Sequence, residues 1–143
     1  MRRAFLLSAL AFVLAACGGA GGLTKAQYDT KVSRLCLLAA DRSRELHIDN
    51  SVAAWRHDGP SVVLIAQRFN NSLAALKAPG EIAAAAAAFL KANKKLLVDY
   101  QAAVAAAKAG DRARLQAIGQ QSVRDGNATF APARAIGARS CYL

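Results

Sequence analysis

Four stretches of the chain place apolar residues three or four positions apart, which is the spacing of one face of an α-helix. The first predicted helix begins after Thr24, because Thr24 and Gln27 have the spacing of a capping box. It is expected to continue to about His47. Its apolar face is formed by Tyr28, Val32, Leu35, Ala39 and Leu46.

Proline and glycine separate the second and third predicted helices. The second begins at Pro60, which suits a first helical turn, and ends at Ala78, because Pro79 disfavours helical geometry in the residue before it. The third is expected from about Glu81 to Ala109. Core-facing positions are Val62, Ile65, Phe69, Leu73 and Leu76 in the second helix, and Ile82, Ala86, Phe89, Asn93, Leu96, Tyr100, Val104 and Ala107 in the third.

The connection between the first two helices, residues 48–59, contains several helix-breaking residues. Within it, Ser51–Trp55 is expected to form one extra helical turn. Trp55 is the only tryptophan of the chain, and we expect it to cover the core.

A fourth predicted helix starts at Gly110-Asp111, where Gly110 can end the third helix and Asp111 can cap the next. A kink or break is expected within residues 125–132, because Asp, Gly and Asn are followed by Pro132. Its inner face is formed by Leu115, Ile118, Ser122, Thr129, Ala133 and Ile136. No stretch shows the alternation of a β-strand, so the pattern predicts an all-α fold, an antiparallel four-helix bundle.

The N-terminal residues have the pattern of an export signal. Arg2 and Arg3 precede the apolar residues 4–16, a segment shorter than the roughly 20 residues that span a bilayer. The segment ends in Leu14-Ala15-Ala16-Cys17, which resembles the lipobox of bacterial lipoproteins. The resemblance implies cleavage before Cys17 and a lipid attached to that cysteine. The alternative is an ordinary export signal with a chance cysteine at its end.

This interpretation divides the chain into three parts: a signal peptide over residues 1–16, a lipidated glycine-rich tether over 17–22 and a helical domain over 23–143. It places the protein in the bacterial cell envelope, outside the cytoplasm and held to a membrane by its N-terminal lipid. Whether that membrane is the inner or the outer one stays open.

The cysteine count then predicts a disulfide. With Cys17 carrying lipid, Cys36 and Cys141 remain as an even pair in an oxidising compartment. The bond would join the first helix to the C-terminus. It would compensate for a core in which alanine dominates.

The chain is basic, and this charge suggests anionic partners. Loss of Arg2 and Arg3 with the signal lowers the number of Lys and Arg residues from 19 to 17 against 9 Asp and Glu, a formal net charge of +8. Anionic lipid head groups, an anionic envelope polymer or another envelope protein are therefore candidate partners. Nucleic acid is not expected for an exported protein. Lys91, Lys94 and Lys95 form the candidate contact, although a merely solvated face has the same pattern.

Several further features together resemble a set of small uncharacterised bacterial lipoproteins over most of residues 17–143. These features are the capped Leu23-Thr24-Lys25 start, Cys36, Pro79, Gly110-Asp111 and Ile136-Gly137 followed by Cys141. The resemblance implies a helical envelope domain and no specific mechanism.

No motif for catalysis, covalent haem or phosphate binding is found, and the acidic residues look scattered, so we predict neither an enzyme nor a cofactor. His47 and His57 flank one connection, but a metal site is not predicted. The first hypothesis is a membrane-anchored interaction module without enzymatic activity. The alternative is a carrier of a small apolar ligand or a metal, with a pocket near Trp55, Phe69, Phe89 and Tyr100.

Overall fold

The computed structural model describes residues 22–142, which form six α-helices, two short 3₁₀ turns and no β-strand. The predicted signal peptide and the predicted lipid attachment at Cys17 lie outside the described residues. The helices are α1 (Lys25–Ser43), α2 (Val52–His57), α3 (Gly59–Ala75), α4 (Ala83–Ala109), α5 (Arg112–Asn127) and α6 (Phe130–Ile136), and the 3₁₀ turns are Gly80–Ile82 and Arg139–Cys141. The four long helices pack together, which confirms the all-α bundle.

Helix α1 starts as predicted and ends earlier. The Thr24 hydroxyl accepts from the Gln27 amide at 3.2 Å, and the Thr24 amide donates to the Gln27 side chain at 2.9 Å, so the capping box is confirmed. The expected continuation to His47 is wrong, because α1 ends at Ser43. The His47 amide donates at 3.2 Å to the carboxylate of Asp58, which draws the chain away from the helix axis.

The predicted extra turn after Asn50 is confirmed as the short helix α2, whose first turn is capped by Ser51. Trp55 lies within the core instead of covering it, with its ring 6.1 Å from the ring of Tyr100. The Arg56 guanidinium donates to the carbonyls of Ala107 at 2.9 Å and Lys108 at 3.3 Å, in the last turn of α4. These bonds add side-chain donors to the C-terminal end of α4, where the Ala107 carbonyl also accepts from the amide of Gly110 at 3.0 Å.

At the junction of α2 and α3, the backbone of α3 comes close to side chains of α2 and α4. Gly59 is the first residue of α3, and a Cβ atom there would lie 2.8 Å from Cγ2 of Val104 and 3.0 Å from Cε3 of Trp55. Only glycine fits this contact without a shift of its neighbours. It lets α3 start one residue before the predicted Pro60.

Later helix boundaries differ from the predictions by a few residues. Helix α3 ends at Ala75 because Leu76 already has extended backbone geometry, and α4 starts only at Ala83, after a 3₁₀ turn. Gly110 has a φ of 74°, and Asp111 accepts from the Arg114 amide at 2.9 Å, which confirms this connection.

The predicted break in the last helix is confirmed. Helix α5 ends at Asn127, and α6 begins at Phe130. Pro132 lies in the first turn of α6, where a backbone amide would have no acceptor within the helix. The proline is therefore accommodated without a kink of its own.

Two groups of buried side chains form the core. One includes Tyr28, Val32, Leu73, Phe89 and Ile136, where α1, α3, α4 and α6 meet. The second lies where α2 packs on α4 and α5, and it consists of Trp55, Ala103, Val104, Ala106, Ala107 and Leu115. Four of these six residues are alanine or valine, so few large side chains hold this end together.

A disulfide joins Cys36 of α1 to Cys141, with Cα atoms 5.2 Å apart and a sequence separation of 105. This confirms the predicted pairing. The bond fixes the C-terminal 3₁₀ turn against the middle of α1.

We expect the double variant Cys36→Ser, Cys141→Ser to lose up to about 4–5 kcal/mol of its free energy of unfolding, as the closure of a loop of about 100 residues implies. Urea unfolding followed by circular dichroism measures this loss. Wild-type protein in a reducing agent serves as the control and should shift by the same amount. Equal midpoints for oxidised and reduced protein would contradict the expectation.

Candidate functional site

A cavity of about 290 Å³, partly open to solvent, lies between α1, α3, α4 and the C-terminal 3₁₀ turn, and we call it the main cavity, although a more open surface recess beside Asp29 and Arg139 is larger. Its size is near the lower end of the range of small-molecule sites, about 300–1,000 Å³. Its lining residues are Cys36, Ala39, Ala40 and Ser43 of α1, Val62, Ile65, Ala66, Phe69 and Asn70 of α3, Asn93, Leu96 and Tyr100 of α4, and Ser140 and Cys141.

Small side chains on facing helices leave this space open. Ala39 and Ala40 of α1 face Ala66 of α3, where longer aliphatic residues would fill the gap. Both cysteines of the disulfide line the cavity, so the bond that joins α1 to the C-terminus also forms part of the cavity wall. The result is a partly open, mostly apolar space with amide and hydroxyl groups at a few positions.

Asn70 gives the wall an unsatisfied polar atom. Its side chain is 4% exposed, and its amide nitrogen donates to the carbonyls of Ala66 at 2.9 Å and Asn93 at 3.3 Å. Its oxygen Oδ1 is buried and has no hydrogen-bond partner. An unpaired buried acceptor costs about 1–3 kcal/mol. This oxygen has almost no accessible surface, so it lies behind the wall of the cavity and does not face its open space.

Two further polar residues border the cavity. The Asn93 amide nitrogen donates at 2.9 Å to the carbonyl of Phe89, within its own helix. Burial raises the pKa of the Tyr100 hydroxyl, and the negative charge of Asp99 raises it further. Tyr100 therefore stays protonated at neutral pH and can donate a hydrogen bond.

The structure brings together three of the four aromatic residues proposed for a pocket. Phe69 and Tyr100 line the main cavity, and the Phe89 ring packs edge-on against Phe69 with centroids 6.3 Å apart. Trp55 touches Tyr100 from the opposite side and lines a separate recess of about 140 Å³ beside Leu115. Tyr100 thus stands between the cavity and the tryptophan.

The three lysines proposed for anionic contact differ in their surroundings. Lys91 and Lys94 are exposed on α4. Lys95 Nζ instead lies 2.7 Å from Oδ1 of Asp125, a carboxylate in α5 that is 6% exposed. Lys95 therefore contributes to the packing of α4 against α5, and Lys91 and Lys94 remain as an exposed pair of charges.

Two acidic residues that seemed scattered in the sequence meet between α4 and α5. Burial raises the pKa of the Asp99 carboxyl, and the neighbouring Asp125 raises it further. Hydrogen bonds from Gln121 at 2.8 Å and from Lys95 hold the pKa of Asp125 below its usual range. The expectation of scattered acids is thus wrong for this pair, one of whose members is easily protonated.

The two histidines lie around Asp58. One oxygen of this carboxylate is 2.8 Å from Nδ1 of His57, and the other accepts from the backbone amide of His47. The hydrogen bond with His57 lowers the pKa of Asp58 most strongly. Across residues 22–142, His, Cys, Asp and Glu side chains form no group of three or more arranged to hold a metal ion.

Asn70, Asp99 and Asp125 were not predicted as site or core residues. Asn70 directly follows Phe69, which lies on the predicted apolar face of its helix. This position was the only indication in the sequence that Asn70 would be buried. Asp125 was interpreted as part of a helix break. Its burial depends on Lys95, 30 residues away, which no local pattern reveals.

Comparisons of the chain with protein-family models, with curated proteins and with solved structures found no match. In the part of the chain that the structure describes, no helix is both long enough and apolar enough to cross a bilayer.

We expect Asp99→Asn to raise the melting temperature by a few degrees at pH 7. The raised pKa of Asp99 means that folding favours its protonated form, so its stabilising contribution is complete at low pH and is lost as the pH rises through that pKa. The amide mimics the protonated acid. The gain should therefore vanish near about pH 3, where the acid is protonated in both folded and unfolded chains.

Asp125→Asn is the matched control for thermal unfolding measured from pH 3 to pH 8. The lowered pKa of Asp125 gives the opposite sign, since its contribution is present at neutral pH and is lost as the pH falls through that pKa. This variant should be less stable than wild type at pH 7. A gain for Asp99→Asn that does not change with pH would contradict the assignment.

Proposed function

We propose that this protein is a lipid-anchored lipoprotein of the bacterial envelope whose helical domain binds a small, mostly apolar ligand in the main cavity. The proposal takes the anchor from the lipobox pattern at Cys17 and the ligand site from the described helices. The observation that carries it is the mostly apolar cavity of about 290 Å³ between α1, α3 and α4. Its role is binding without catalysis.

The chemistry of the wall indicates what such a ligand would be. Phe69, Leu96 and the alanines offer apolar surface, and each methylene buried there would contribute about 0.8 kcal/mol. The cavity lining contains no charged side chain. The ligand portion inside the cavity is therefore uncharged, with at most a few hydrogen-bonding groups.

Contact with an anionic surface is the second candidate function. Lys91 and Lys94 are exposed on α4, and the processed chain would carry a net charge of +8. Such a contact would be electrostatic and weakened by salt. It is compatible with ligand binding, because α4 borders the main cavity through different residues.

Native mass spectrometry of full-length protein, extracted gently from its own envelope, tests ligand binding. We expect a reproducible non-covalent mass on the wild type and its loss in Ala66→Phe, which fills the cavity. Ala74→Phe, at an exposed position of the same helix, is the control and should keep the extra mass. A wild-type protein that is always empty, or a cargo that survives Ala66→Phe, would overturn the proposal.

For the second candidate, we expect Lys91→Glu with Lys94→Glu to weaken binding to vesicles containing anionic lipid about tenfold or more, because each basic residue near such a surface contributes about 1 kcal/mol. Co-sedimentation at low and high salt measures this effect. The control is Lys25→Glu with Lys31→Glu, which changes the net charge equally on α1. Equal losses in both double variants would show that only total charge matters.

A further inference from the structure

A groove of about 160 Å³ runs between α1 and α3, and we call it the outer groove. Ala39, Ile65 and Phe69 line both the outer groove and the main cavity. The two spaces therefore lie on opposite sides of one thin wall made of three side chains. Ile65 and Phe69, four positions apart, lie on the same face of α3, so both can contribute to this wall.

Two arginines lie along the outer groove. Arg42 comes from the last turn of α1, and Arg68 comes from the middle of α3. Both are exposed, and within residues 22–142 neither makes an ion pair with a carboxylate. The neighbouring acid Asp41 is instead paired with Arg44 at 3.1 Å. The groove therefore presents two uncompensated positive charges.

The floor between these arginines is apolar. Leu35 and Leu38 of α1 face Ile65 of α3, and Leu38 is 44% exposed. A leucine this exposed next to two guanidinium groups gives a surface with both apolar and cationic character. A fully hydrated anion would contact only the two arginines, and a neutral hydrocarbon would contact only the apolar floor of the groove.

We propose that the outer groove and the main cavity together bind a single-chain amphiphile with an anionic head group. The head group, a carboxylate or a phosphate, pairs with Arg42 and Arg68, because guanidinium groups bind both by paired hydrogen bonds. The alkyl chain passes Ala39, the smallest side chain of the shared wall, and enters the main cavity. This inference rests on the proposed function and adds the chemical class of the ligand.

The two spaces differ in polarity in the way that such a ligand requires. Charged side chains occur in the outer groove, and the cavity lining holds only apolar, amide and hydroxyl groups. An amphiphile likewise has a charged head group at one end and an apolar chain along the rest of its length. The head group stays near water, where its pairing with arginine is screened by salt, and the chain is removed from water.

Photo-crosslinking in the native membrane tests the inference with full-length protein. The probes are dodecanoate and dodecanol, each with a diazirine near the methyl end of the chain, and labelled peptides are located by mass spectrometry. We expect the dodecanoate probe to label the cavity wall at Leu96 or Tyr100. Unlabelled dodecanoate and dodecyl phosphate should compete, and the better competitor identifies a carboxylate or a phosphate as the preferred head group.

Substitutions separate the head-group site from the cavity. Arg42→Gln with Arg68→Gln should lower dodecanoate labelling about tenfold, a loss of about 1.4 kcal/mol, and leave dodecanol labelling unchanged. Arg112→Gln with Arg114→Gln is the control, since it removes two exposed charges at the start of α5. Ala39→Leu should block the passage, so that dodecanoate labels only residues of the outer groove.

The outcomes distinguish this inference from the proposed function. If both probes label the cavity and the Arg42, Arg68 double variant labels equally well with dodecanoate, the head-group site is wrong and the cavity remains a binding site. Undiminished cavity labelling in Ala39→Leu would overturn the path of the chain. If neither probe labels the cavity and the native protein carries no cargo, the proposed function fails as well.

Discussion

The covalent bond between Cys36 and Cys141 is the constraint on which the arrangement of α1 depends. Much of the core consists of alanine and valine, whose burial contributes less than that of larger side chains. Fixing the chain end to the middle of α1 restricts the unfolded chain, which partly replaces the missing apolar contacts. It also permits the main cavity, because a wall held by a covalent bond does not need to be filled. The sparse packing and the open cavity thus both result from the small side chains of the core.

The fold was predictable where local chemistry decides it. The capping box at Thr24, the glycine and aspartate between α4 and α5, and the break before α6 all follow from backbone geometry within a few residues. The end of α1 was not predictable from the apolar spacing, because Leu46 continues the helical pattern although the helix stops at Ser43. Beyond that end the amide of His47 bonds to Asp58, a contact 11 residues away that no local pattern reveals.

The candidate site was predictable only in part for a similar reason. Helical spacing placed Phe69, Phe89 and Tyr100 on core-facing stripes, and these three converge. Trp55 was grouped with them by composition, but α2 presents it to the opposite side of Tyr100. Asn70 and the two arginines of the outer groove have ordinary local patterns. Their significance arises from a missing partner, and the partners of a side chain are known only when the helices are packed.

The bonds from Arg56 to the end of α4 have a consequence for the order of folding. Helix α2 has only six residues, and isolated helices shorter than about 12–15 residues are barely stable in water. It is held by contacts to residues about 50 positions further along the chain. Helix α2 therefore has to wait for α4 before it can become ordered. While the domain folds, Trp55 stays accessible to water until α4 is in place.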